Sequence, residues 1–456
     1  MHPFGTGPIT SKNPIFGTDG IRGKASSLLA PDFVLKIGFW CGLVIEGEGP
    51  FIIGQDSRQS SSMITSALSA GLTAAGREVW QVGLCPTPAI PHLIKQFGAS
   101  GGLMVSASHN PPEDNGIKIF NSAGQKISLK EQRLIEKGLT KEINPLEQIG
   151  AIHYRNELIQ HYSNSLLETA NGKTLKDVSI VLDLCWGSAT SCGEKIFTSL
   201  GATLKTIHSH SDGAKINVKC GSTNLGPLKE AVKAENAQMG FAFDGDADRV
   251  IAVDEKGRVI DGDHILYLWG SFLKEQNQLP EQRLVATSMS NLGLENAWLA
   301  KGGQLERTPV GDRYVQEKML ETNATLGGEQ SGHILSKMNG LCGDGLLTAI
   351  QLATICNGLN LRLFEWLNQS FKPYPQKLIN VPIKNSSSNQ YWEESEALQE
   401  AMDKAKVAMG SRGRVLIRES GTEPLLRVMV ESEDPKMVDS WSSHLASIAL
   451  NDLNAA

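Results

Sequence analysis

The sequence predicts an α/β protein with a smaller α+β unit at its carboxyl end. For most of the chain, short apolar runs alternate with helical stretches, which indicates mixed or parallel sheets covered by helices. The alternation occurs three times, in cycles that include the apolar runs 51–54, 178–183 and 284–288. After Pro373-Tyr374-Pro375 the predicted order changes to strand, helix, two strands and helix, which is typical of a small α+β unit.

The amino-terminal elements follow from their apolar pattern and from the residues that end them. Residues 33–45 are the most apolar helical candidate, but this stretch is too short to span a bilayer and contains Lys36. The runs 51–54 and 79–83 have the pattern of buried strands. Residues 60–76, which lie between them, are predicted to form a helix that ends at a glycine.

The remaining elements are predicted from the same signals. A helix is expected from near Ser188 to Gly201, where a glycine closes it. Further strands are predicted at 102–105, 178–183, 241–243, 250–253, 284–288, 378–383, 414–418 and 425–431. In the last section, helices are predicted at 391–410 and from 434 onward.

The length of the chain implies several domains. Its 456 residues exceed the roughly 250–300 residues beyond which a single hydrophobic core rarely grows. We place three α/β domains at 1–157, 158–256 and 257–372, and the α+β domain at 373–456. Each of these ranges is long enough to form a core of its own.

The composition excludes several classes of partner. A net charge of −6 without a polybasic run argues against nucleic acid or a membrane as the main partner. The seven cysteines are odd in number and form no Cys-x-x-Cys pair, so we expect reduced and mostly buried thiols. No signal peptide precedes the first motif, and the expected location is therefore the cytoplasm.

A serine follows the predicted strand 102–105, within the segment Ser106-Ala107-Ser108-His109-Asn110-Pro111-Pro112. The prolines prevent a helix from continuing, so Ser108 is expected on a fixed loop. A serine hydroxyl needs a base or a stabilising cation to act as a nucleophile, and His109 and Lys118 are local candidates. A Ser-His-Asp hydrolase is disfavoured, because there is no Gly-x-Ser-x-Gly motif and His109 is adjacent to Ser108. A polar capping loop remains the alternative.

An acidic triplet, Asp244-Gly245-Asp246-Ala247-Asp248, lies between the predicted buried strands 241–243 and 250–253. Alternate carboxylates on a tight loop can converge on one hard cation, and Mg²⁺ prefers such oxygen ligands together with a phosphate oxygen. An EF-hand fits poorly, because the later ligand positions are missing. Three carboxylates between buried strands are costly without a cation, which disfavours the alternative of a solvated acidic turn.

Two segments, 16–23 and 418–427, combine arginines with glycines. In the first, Arg22 can bind phosphate or carboxylate through parallel hydrogen bonds, although P-loop spacing is absent. In the second, Arg418 and Arg427 bracket a Ser-Gly-Thr turn, and their guanidinium groups together with hydroxyls and main-chain amides form a candidate anion site. The alternatives are a glycine turn with a surface arginine and a hairpin with edge arginines.

A further polar motif occupies residues 327–333. Glu329, Ser331 and His333 alternate there, so an extended backbone would point all three to one side, toward sugar hydroxyls or an amine. A polar loop with a hydrogen-bonded histidine is the alternative. The nearby segment Gly311-Asp312-Arg313 adds a candidate phosphate-binding arginine.

These motifs, in this order, resemble the α-D-phosphohexomutase family and, within it, the branch of bacterial phosphoglucosamine mutases. The resemblance runs from Phe16 to Arg427, and the branch is indicated by the segments 220–224, 310–315 and 328–333. It implies three related α/β domains with mixed sheets and a smaller C-terminal α+β domain around a central cleft. In order, these domains are expected to carry the catalytic serine, the metal-binding loop, the sugar-recognition loop and a phosphate-binding site.

The resemblance also implies roles for individual residues. Ser108 is the expected phosphoserine, and its phosphate completes a site for one Mg²⁺ ion held by Asp244, Asp246 and Asp248. The other residues expected near the reacting phosphate are Arg22, His109, Lys118 and Arg249. The residues expected to bind substrate are Gly311, Asp312, Arg313, Glu329, Ser331, His333, Arg418, Ser420, Gly421, Thr422 and Arg427.

The implied activity is that of a cytoplasmic isomerase that interconverts D-glucosamine 6-phosphate and D-glucosamine 1-phosphate and feeds UDP-N-acetylglucosamine synthesis. Its implied intermediates are a phosphoserine enzyme and a bisphosphorylated sugar. The alternatives are a phosphomannomutase/phosphoglucomutase with relaxed sugar specificity, a phosphatase that uses the acidic triplet, and a non-catalytic sugar-phosphate sensor. The expected partners are small hexosamine phosphates. The sequence does not choose between a monomer and a homodimer, or between Lys118 and His109 as the base.

Overall fold

The computed structural model describes residues 15–382, 392–419 and 425–453. The chain forms two compact units. The first contains the residues up to 289 together with 306–370, and the second contains 290–305 and the residues from 371 onward. Four β-sheets follow one another along the chain, each with its own helices.

The first sheet carries the Ser108 loop. Its strands are β1 (Ile21–Lys24), β2 (Phe51–Gln55), β3 (Val79–Leu84), β4 (Gly101–Val105), β5 (Asp114–Asn121) and β6 (Ile152–Tyr154), and its helices are α1 (Pro31–Val44), α2 (Ser61–Ala74), α3 (Ala89–Phe97) and α4 (Leu129–Leu139). The strand order is β1-β5-β4-β2-β3-β6. Strand β2 pairs in parallel with β3 and β4, whereas β5 is antiparallel to β4. The loop from β4 to β5 therefore leaves the carboxyl end of a fully buried strand.

The second sheet carries the acidic triplet. Its strands are β7 (Ser179–Asp183), β8 (Thr203–Ile207), β9 (Met239–Phe243), β10 (Val250–Asp254) and β11 (Val259–Ile260), and its helices are α5 (Ile159–Thr169), α6 (Gly193–Ser199) and α7 (Gly226–Ala234). The order is β11-β10-β9-β7-β8. Because Phe243 pairs with Val250, residues 244–249 form the connection between two buried antiparallel strands.

The third sheet is small and mixed. Its strands are β12 (Arg283–Thr287), β13 (Gln304–Thr308), β14 (Leu326–Gly328) and β15 (Ile334–Ser336), in the order β13-β12-β14-β15. The helices of this part of the chain are α8 (Gly262–Glu275), α9 (Leu292–Ala300), α10 (Asp312–Glu321), α11 (Gly345–Gly358) and α12 (Leu363–Asn368). Gly328 pairs with Ile334 in an antiparallel hairpin, so residues 329–333 form its turn.

The second unit contains an antiparallel sheet with helices. Its strands are β16 (Gln376–Pro382), β17 (Gly413–Glu419) and β18 (Leu425–Ser432), and its long helices are α13 (Glu396–Met409) and α14 (Pro435–Leu453). Strand β18 lies between the other two. Leu398, Val428 and Leu445 are fully buried in one cluster, which shows that both helices and the sheet share a core. This is the small α+β unit that the sequence predicts.

The predicted fold class, three mixed α/β sheets followed by a smaller α+β domain, is confirmed. The predicted strands are present, with ends that differ by a few residues. Ile383 at the end of one predicted strand, and Tyr391 at the start of one predicted helix, lie outside the described residues. Within the described ranges, no helix has both the length and the apolar composition to cross a membrane.

One predicted helix is wrong at its start. Instead of a helix from Ser188 to Gly201, a 3-10 turn at Ser188–Ser191 is followed by α6, which begins at Gly193. Cys192 lies between them with a φ of −148°, which no α-helix tolerates. The hydroxyl of Ser191 donates to the carbonyl of Ser188, and this local bond favours the tighter turn.

Candidate active site

Ser108 lies on the loop that leaves β4, with its side chain held by hydrogen bonds. Its Oγ donates to Oδ2 of Asp244 at 2.6 Å, and its main-chain amide donates to Oγ of Ser106 at 2.9 Å. The φ of Ser108 is +51°, a left-handed conformation that few residues other than glycine adopt. Strained backbone of this kind often marks functional sites. The loop thus brings a buried hydroxyl to a carboxylate 136 residues later in the chain.

A buried arginine that the sequence analysis missed holds this loop in place. Arg58 donates to the carbonyls of Ser108 at 2.9 Å, Asn110 at 2.8 Å and Asp114 at 2.9 Å. Its Nε is paired with Oδ2 of Asp56 at 2.9 Å. The only sequence signal was the position of both charged residues directly after the apolar strand β2.

The three carboxylates of the acidic triplet converge, as predicted. Asp244, Asp246 and Asp248 are at most 1% exposed, and each offers an oxygen within 4.8 Å of the others. Within the described part of the chain, Oδ1 of Asp246 is buried and accepts no hydrogen bond, while Oδ1 of Asp248 lies 3.4 Å from Nδ1 of His333. Buried carboxylate oxygens that lack donors fit a hard cation. The triplet is therefore suited to a metal ion.

The pKa values of the triplet also indicate that its carboxylates need nearby positive charge. Burial, together with Asp248 and Asp246, raises the pKa of Asp244 well above its usual value. For Asp248, burial raises the pKa, but Lys118 and His333 lower it well below its usual value. Three neighbouring carboxylates cannot all ionise in a buried site unless cations balance them.

Lys118, on β5, supplies part of that charge. Its Nζ lies 2.6 Å from Oδ2 of Asp248, 2.8 Å from Oδ2 of Asp246 and 3.1 Å from Oδ2 of Asp19. Burial alone would lower the pKa of Lys118, but these three carboxylates raise it well above its usual value. The ammonium group is therefore charged, and it crosslinks the metal loop to the first sheet.

His109 and two arginines surround the serine. Nδ1 of His109 is 3.3 Å from Oγ of Ser108. Burial, Arg249 and Arg22 lower the pKa of His109 to about 4, so its imidazole is neutral at pH 7. The amide of Arg249 donates to Oδ1 of Asp244 at 3.1 Å, and Arg22 is paired with Asp19.

The predicted sugar loop is a tight turn, and the expected extended backbone is wrong. The amide of Glu329 donates to the carbonyl of His333 at 3.0 Å, and Ser331 Oγ donates to Oε2 of Glu329 at 3.3 Å. The turn places the ring of His333 between two carboxylates. Its Nδ1 is 3.4 Å from Oδ1 of Asp248 and its Nε2 is 3.5 Å from Oδ2 of Asp312. Burial lowers the pKa of His333, but Asp248 and Asp312 raise it to about 9. His333 therefore joins the charged network around the triplet.

The segment 311–313 lies beside this turn. The amide of Gly311 donates to Oε1 of Glu329 at 3.1 Å. Asp312 is paired with Lys126, a residue that the sequence analysis did not single out. Arg313 is 8% exposed and donates to the carbonyl of Ile127 at 3.0 Å, so its guanidinium group binds protein in this structure. Its predicted role in phosphate binding stays a prediction.

In the second unit, Arg418 and Arg427 lie directly opposite each other on β17 and β18. Opposite residues of antiparallel strands project to the same face of a sheet. The predicted Ser420, Gly421 and Thr422 lie outside the described residues. The arrangement of the two arginines is compatible with one shared anion.

Four protein-family models together match most of the chain. They describe phosphoglucomutase/phosphomannomutase α/β/α domains I, II and III and the C-terminal domain, and they match residues 13–145, 156–257, 261–374 and 378–447. A phosphoglucosamine mutase of Prochlorococcus marinus strain MIT 9303 is 57% identical, over 100% of this chain and 98% of that protein. The chain belongs to the phosphohexomutase family. The domain boundaries expected from the sequence stay predictions.

Another curated relative and two solved structures also resemble this phosphohexomutase. The phosphoglucosamine mutase of Parasynechococcus marenigrum is 56% identical over 98% of this chain and 97% of that protein. Among solved structures, a phosphoglucomutase/phosphomannomutase family protein from Burkholderia thailandensis has a TM-score of 0.81 at 23% identity, covering 97% of this chain and 98% of its own. Aspergillus fumigatus N-acetylphosphoglucosamine mutase, in complex with GlcNAc-6P and magnesium, has a TM-score of 0.69 at 18% identity and coverages of 97% and 96%. These two structures share the fold.

Proposed function

We propose that this phosphohexomutase interconverts D-glucosamine 6-phosphate and D-glucosamine 1-phosphate. The observation that carries the proposal is the 2.6 Å hydrogen bond from Ser108 Oγ to Asp244, one of three converging buried carboxylates. A hydroxyl at this place can carry a phosphoryl group beside a cation. The sugar is proposed from the phosphoglucosamine mutases that match the chain over nearly its full length.

Ser108 is the carrier of the phosphoryl group in this mechanism. Its bond to phosphorus breaks as a free sugar hydroxyl attacks, and the hydroxyl proton passes to a base. The bisphosphorylated sugar then turns end over end and returns its other phosphoryl group to Ser108. Arg58 limits the movement of the loop that carries the serine oxygen, and positioning is the main task of an enzyme in phosphoryl transfer.

Asp244, Asp246 and Asp248 would hold one Mg²⁺ ion, with the Ser108 phosphate as a further ligand. When bound, Mg²⁺ neutralises charge on the transferring phosphoryl group. Lys118 keeps two of these carboxylates close together through its ammonium group. Arg22 and Arg249 add positive charge near Ser108.

The proton of the sugar hydroxyl needs an acceptor close to Ser108. His109 is neutral at pH 7, which supports a role as the proton acceptor. Three carboxylates hold Lys118 charged, which supports a role for its ammonium group in stabilising negative charge on the transferring phosphoryl group. We therefore propose His109 as the base and Lys118 as a stabilising cation.

Substrate contacts are proposed for the turn and for the C-terminal unit. The sugar is recognised by Glu329, Ser331 and His333, next to Gly311, Asp312 and Arg313. The phosphate that stays on the sugar is bound by Arg418, Ser420, Gly421, Thr422 and Arg427. The partners are then small hexosamine phosphates, and the cytoplasmic location stays a prediction.

The test is a coupled assay that compares glucosamine, glucose and mannose 6-phosphates. The proposal expects kcat/KM for glucosamine 6-phosphate to exceed the others by at least about tenfold, which corresponds to the net free energy of one hydrogen bond. Ser108→Ala should reduce turnover to background. Equal or higher kcat/KM for glucose or mannose phosphates favours the phosphomannomutase/phosphoglucomutase alternative. Release of inorganic phosphate without isomerisation favours a phosphatase.

A further inference from the structure

Two thiols lie together beside the segment that supports the Ser108 loop. Cys185 follows β7 and Cys220 precedes α7, and their Sγ atoms are 3.8 Å apart. Both side chains are buried and both are free thiols. Since a disulfide bond is about 2.05 Å long, the sulfur atoms need to approach by less than about 2 Å. The sequence predicts only that they are reduced and mostly buried thiols.

The environment of this pair divides the roles of the two thiols. Contact with Cys185 lowers the pKa of Cys220, against the effect of burial. Contact with Cys220, together with burial, raises the pKa of Cys185, whose thiol hydrogen is donated to Asn217 at 3.1 Å. The thiolate is the reactive form of cysteine, so Cys220 is the better nucleophile and Cys185 the better resolving thiol.

Cys220 lies just below the protein surface. Val218 and Lys219 before it and Thr223 after it are exposed, whereas the thiol itself is not. A small oxidant can reach the sulfur after a local opening of this loop. A bulky reagent would need a larger rearrangement.

Asn217 connects the thiol pair to the catalytic loop. Its Oδ1 accepts a hydrogen bond from the thiol of Cys185 at 3.1 Å. Its Nδ2 donates to the carbonyls of Ser108 at 2.8 Å and Asn110 at 3.0 Å. Oxidation of Cys185 removes the hydrogen that Asn217 accepts, so the amide that positions the Ser108 loop loses one of its three contacts.

We propose that Cys185 and Cys220 form a reversible disulfide with hydrogen peroxide, and that this disulfide slows phosphoryl transfer at Ser108 through Asn217. The Cys220 sulfur attacks peroxide, the O–O bond breaks, and a sulfenic acid and hydroxide form. The Cys185 sulfur then attacks the sulfenic sulfur, the S–O bond breaks, and water leaves with the thiol proton. In sum, two thiols and one peroxide give one disulfide and two waters. A dithiol reverses the reaction.

A metal ion bound next to the thiol pair is the alternative to a disulfide. Asp183, His208 and Cys220 offer an oxygen, a nitrogen and a sulfur atom within 4.8 Å of one another. However, Oδ1 of Asp183 already accepts from the amide of Cys185 at 3.0 Å, and Oδ2 from the amide of Gly221 at 2.9 Å. A metal would compete with bonds that shape both thiol-bearing segments, so the disulfide is the favoured chemistry.

The first experiment treats the reduced full-length enzyme with hydrogen peroxide and maps disulfides by peptide mass spectrometry. The expected product is a crosslinked peptide pair containing Cys185 and Cys220, which a dithiol removes. Cys220→Ser and Cys185→Ser should each abolish it, while Cys356→Ala, a change of a buried cysteine in α11, should not. Absence of the crosslink overturns the proposal. So does one tightly bound zinc ion per reduced chain that Cys220→Ser loses and that blocks oxidation.

The second experiment measures mutase turnover before and after oxidation. The proposal expects a loss of about three- to tenfold, the effect of removing one buried hydrogen bond from a positioning residue, and recovery with a dithiol. Asn217→Gly keeps the left-handed backbone (φ +61°), and it should be slow in both states while still forming the disulfide. If oxidation slows Asn217→Gly as strongly as the parent, the coupling through Asn217 is wrong. The activity readout rests on the proposed function, whereas the disulfide map does not.

Discussion

At the scale of single residues, the guanidinium group of Arg58 sets the geometry of the catalytic loop. It binds the carbonyls of Ser108, Asn110 and Asp114 while Asp56 neutralises its charge. A planar guanidinium group presents up to five donors at fixed angles, whereas a lysine ammonium presents three from a single atom on a flexible stem. The strained backbone of Ser108 depends on this support.

Arg58→Lys should lower kcat by at least about tenfold, because a small displacement of the reacting oxygen is costly in phosphoryl transfer. A matched control is Arg77→Lys. Arg77 likewise donates to several carbonyls, those of Gly42, Ile45 and Gly47, but it serves another loop. Steady-state kinetics and urea midpoints of both variants give the check. Both should lose stability, and an equal fall of kcat in both would contradict the assigned role of Arg58.

Thr87 supports the proposed metal ligand Asp246. Its Oγ1 donates to Oδ2 of Asp246 at 2.6 Å, and its amide donates to the carbonyl of the same residue at 2.9 Å. Thr87→Val should raise the Mg²⁺ concentration for half-maximal activity by about tenfold, the usual cost of losing a residue that orients a ligand. Thr65→Val is the control, since its hydroxyl donates to Gln55 instead. An unchanged Mg²⁺ requirement in Thr87→Val would contradict this role.

At the scale of elements, the turn between β14 and β15 depends on Gly332. Its φ is +88°, and a Cβ there would lie 2.1 Å from the carbonyl oxygen of Val250. Gly332→Ala should therefore displace His333 from Asp248 and reduce activity strongly. Gly257→Ala is the matched control: its φ is +78°, but a Cβ would meet no atom within 4 Å. The control should cost only about 1–2 kcal/mol of stability and leave kcat unchanged; comparable losses of activity would contradict the account.

Helix α11 begins with a buried carboxylate whose charge opposes folding. Asp344 accepts from the amide of Leu347 at 2.9 Å and from the hydroxyl of Tyr162 at 3.0 Å. Burial raises the pKa of Asp344 from 3.8 to about 6. The pKa of Asp344 is higher in the folded than in the unfolded state, so its protonated form favours folding. This contribution to stability is full below pH 3.8 and is lost as the pH rises through about 6.

Asp344→Asn keeps a capping oxygen and removes that charge. Its Tm relative to the parent should therefore rise between about pH 4.5 and about pH 7.5, because its relative free energy of unfolding gains about 2 kcal/mol over that range. Thermal unfolding at the two pH values is the measurement. A Tm difference that stays constant or falls with pH would contradict the raised pKa.

At the scale of the whole molecule, the alternation of apolar runs predicted the α/β sheets and the α+β end correctly. The acidic triplet was equally predictable, because three alternate carboxylates between buried strands have few other uses. The turn at Glu329–His333 was not predictable, since it depends on the register of the hairpin, which the alternation of polar residues does not determine. The 3-10 turn at Ser188 was also not predicted, because it depends on a local hydrogen bond from the hydroxyl of Ser191 to the carbonyl of Ser188.

The sequence also did not predict the supporting residues whose partners are distant in the chain. Arg58, Thr87 and Asn217 support groups that lie between 50 and 159 residues away. Each belongs to a type that is common on surfaces and in loops, and only the fold shows what it touches. Motifs identified the reacting groups, while the residues that orient them required the structure.

The central claim is that Ser108 carries the phosphoryl group to a hexosamine phosphate. The most direct measurement loads Ser108 with radioactive phosphate and adds unlabelled glucosamine 6-phosphate in a single turnover. The account predicts that the label leaves the protein and appears in glucosamine 1,6-bisphosphate and then in the monophosphates. Label that leaves as inorganic phosphate, or that stays on the protein while the sugar isomerises, would contradict it.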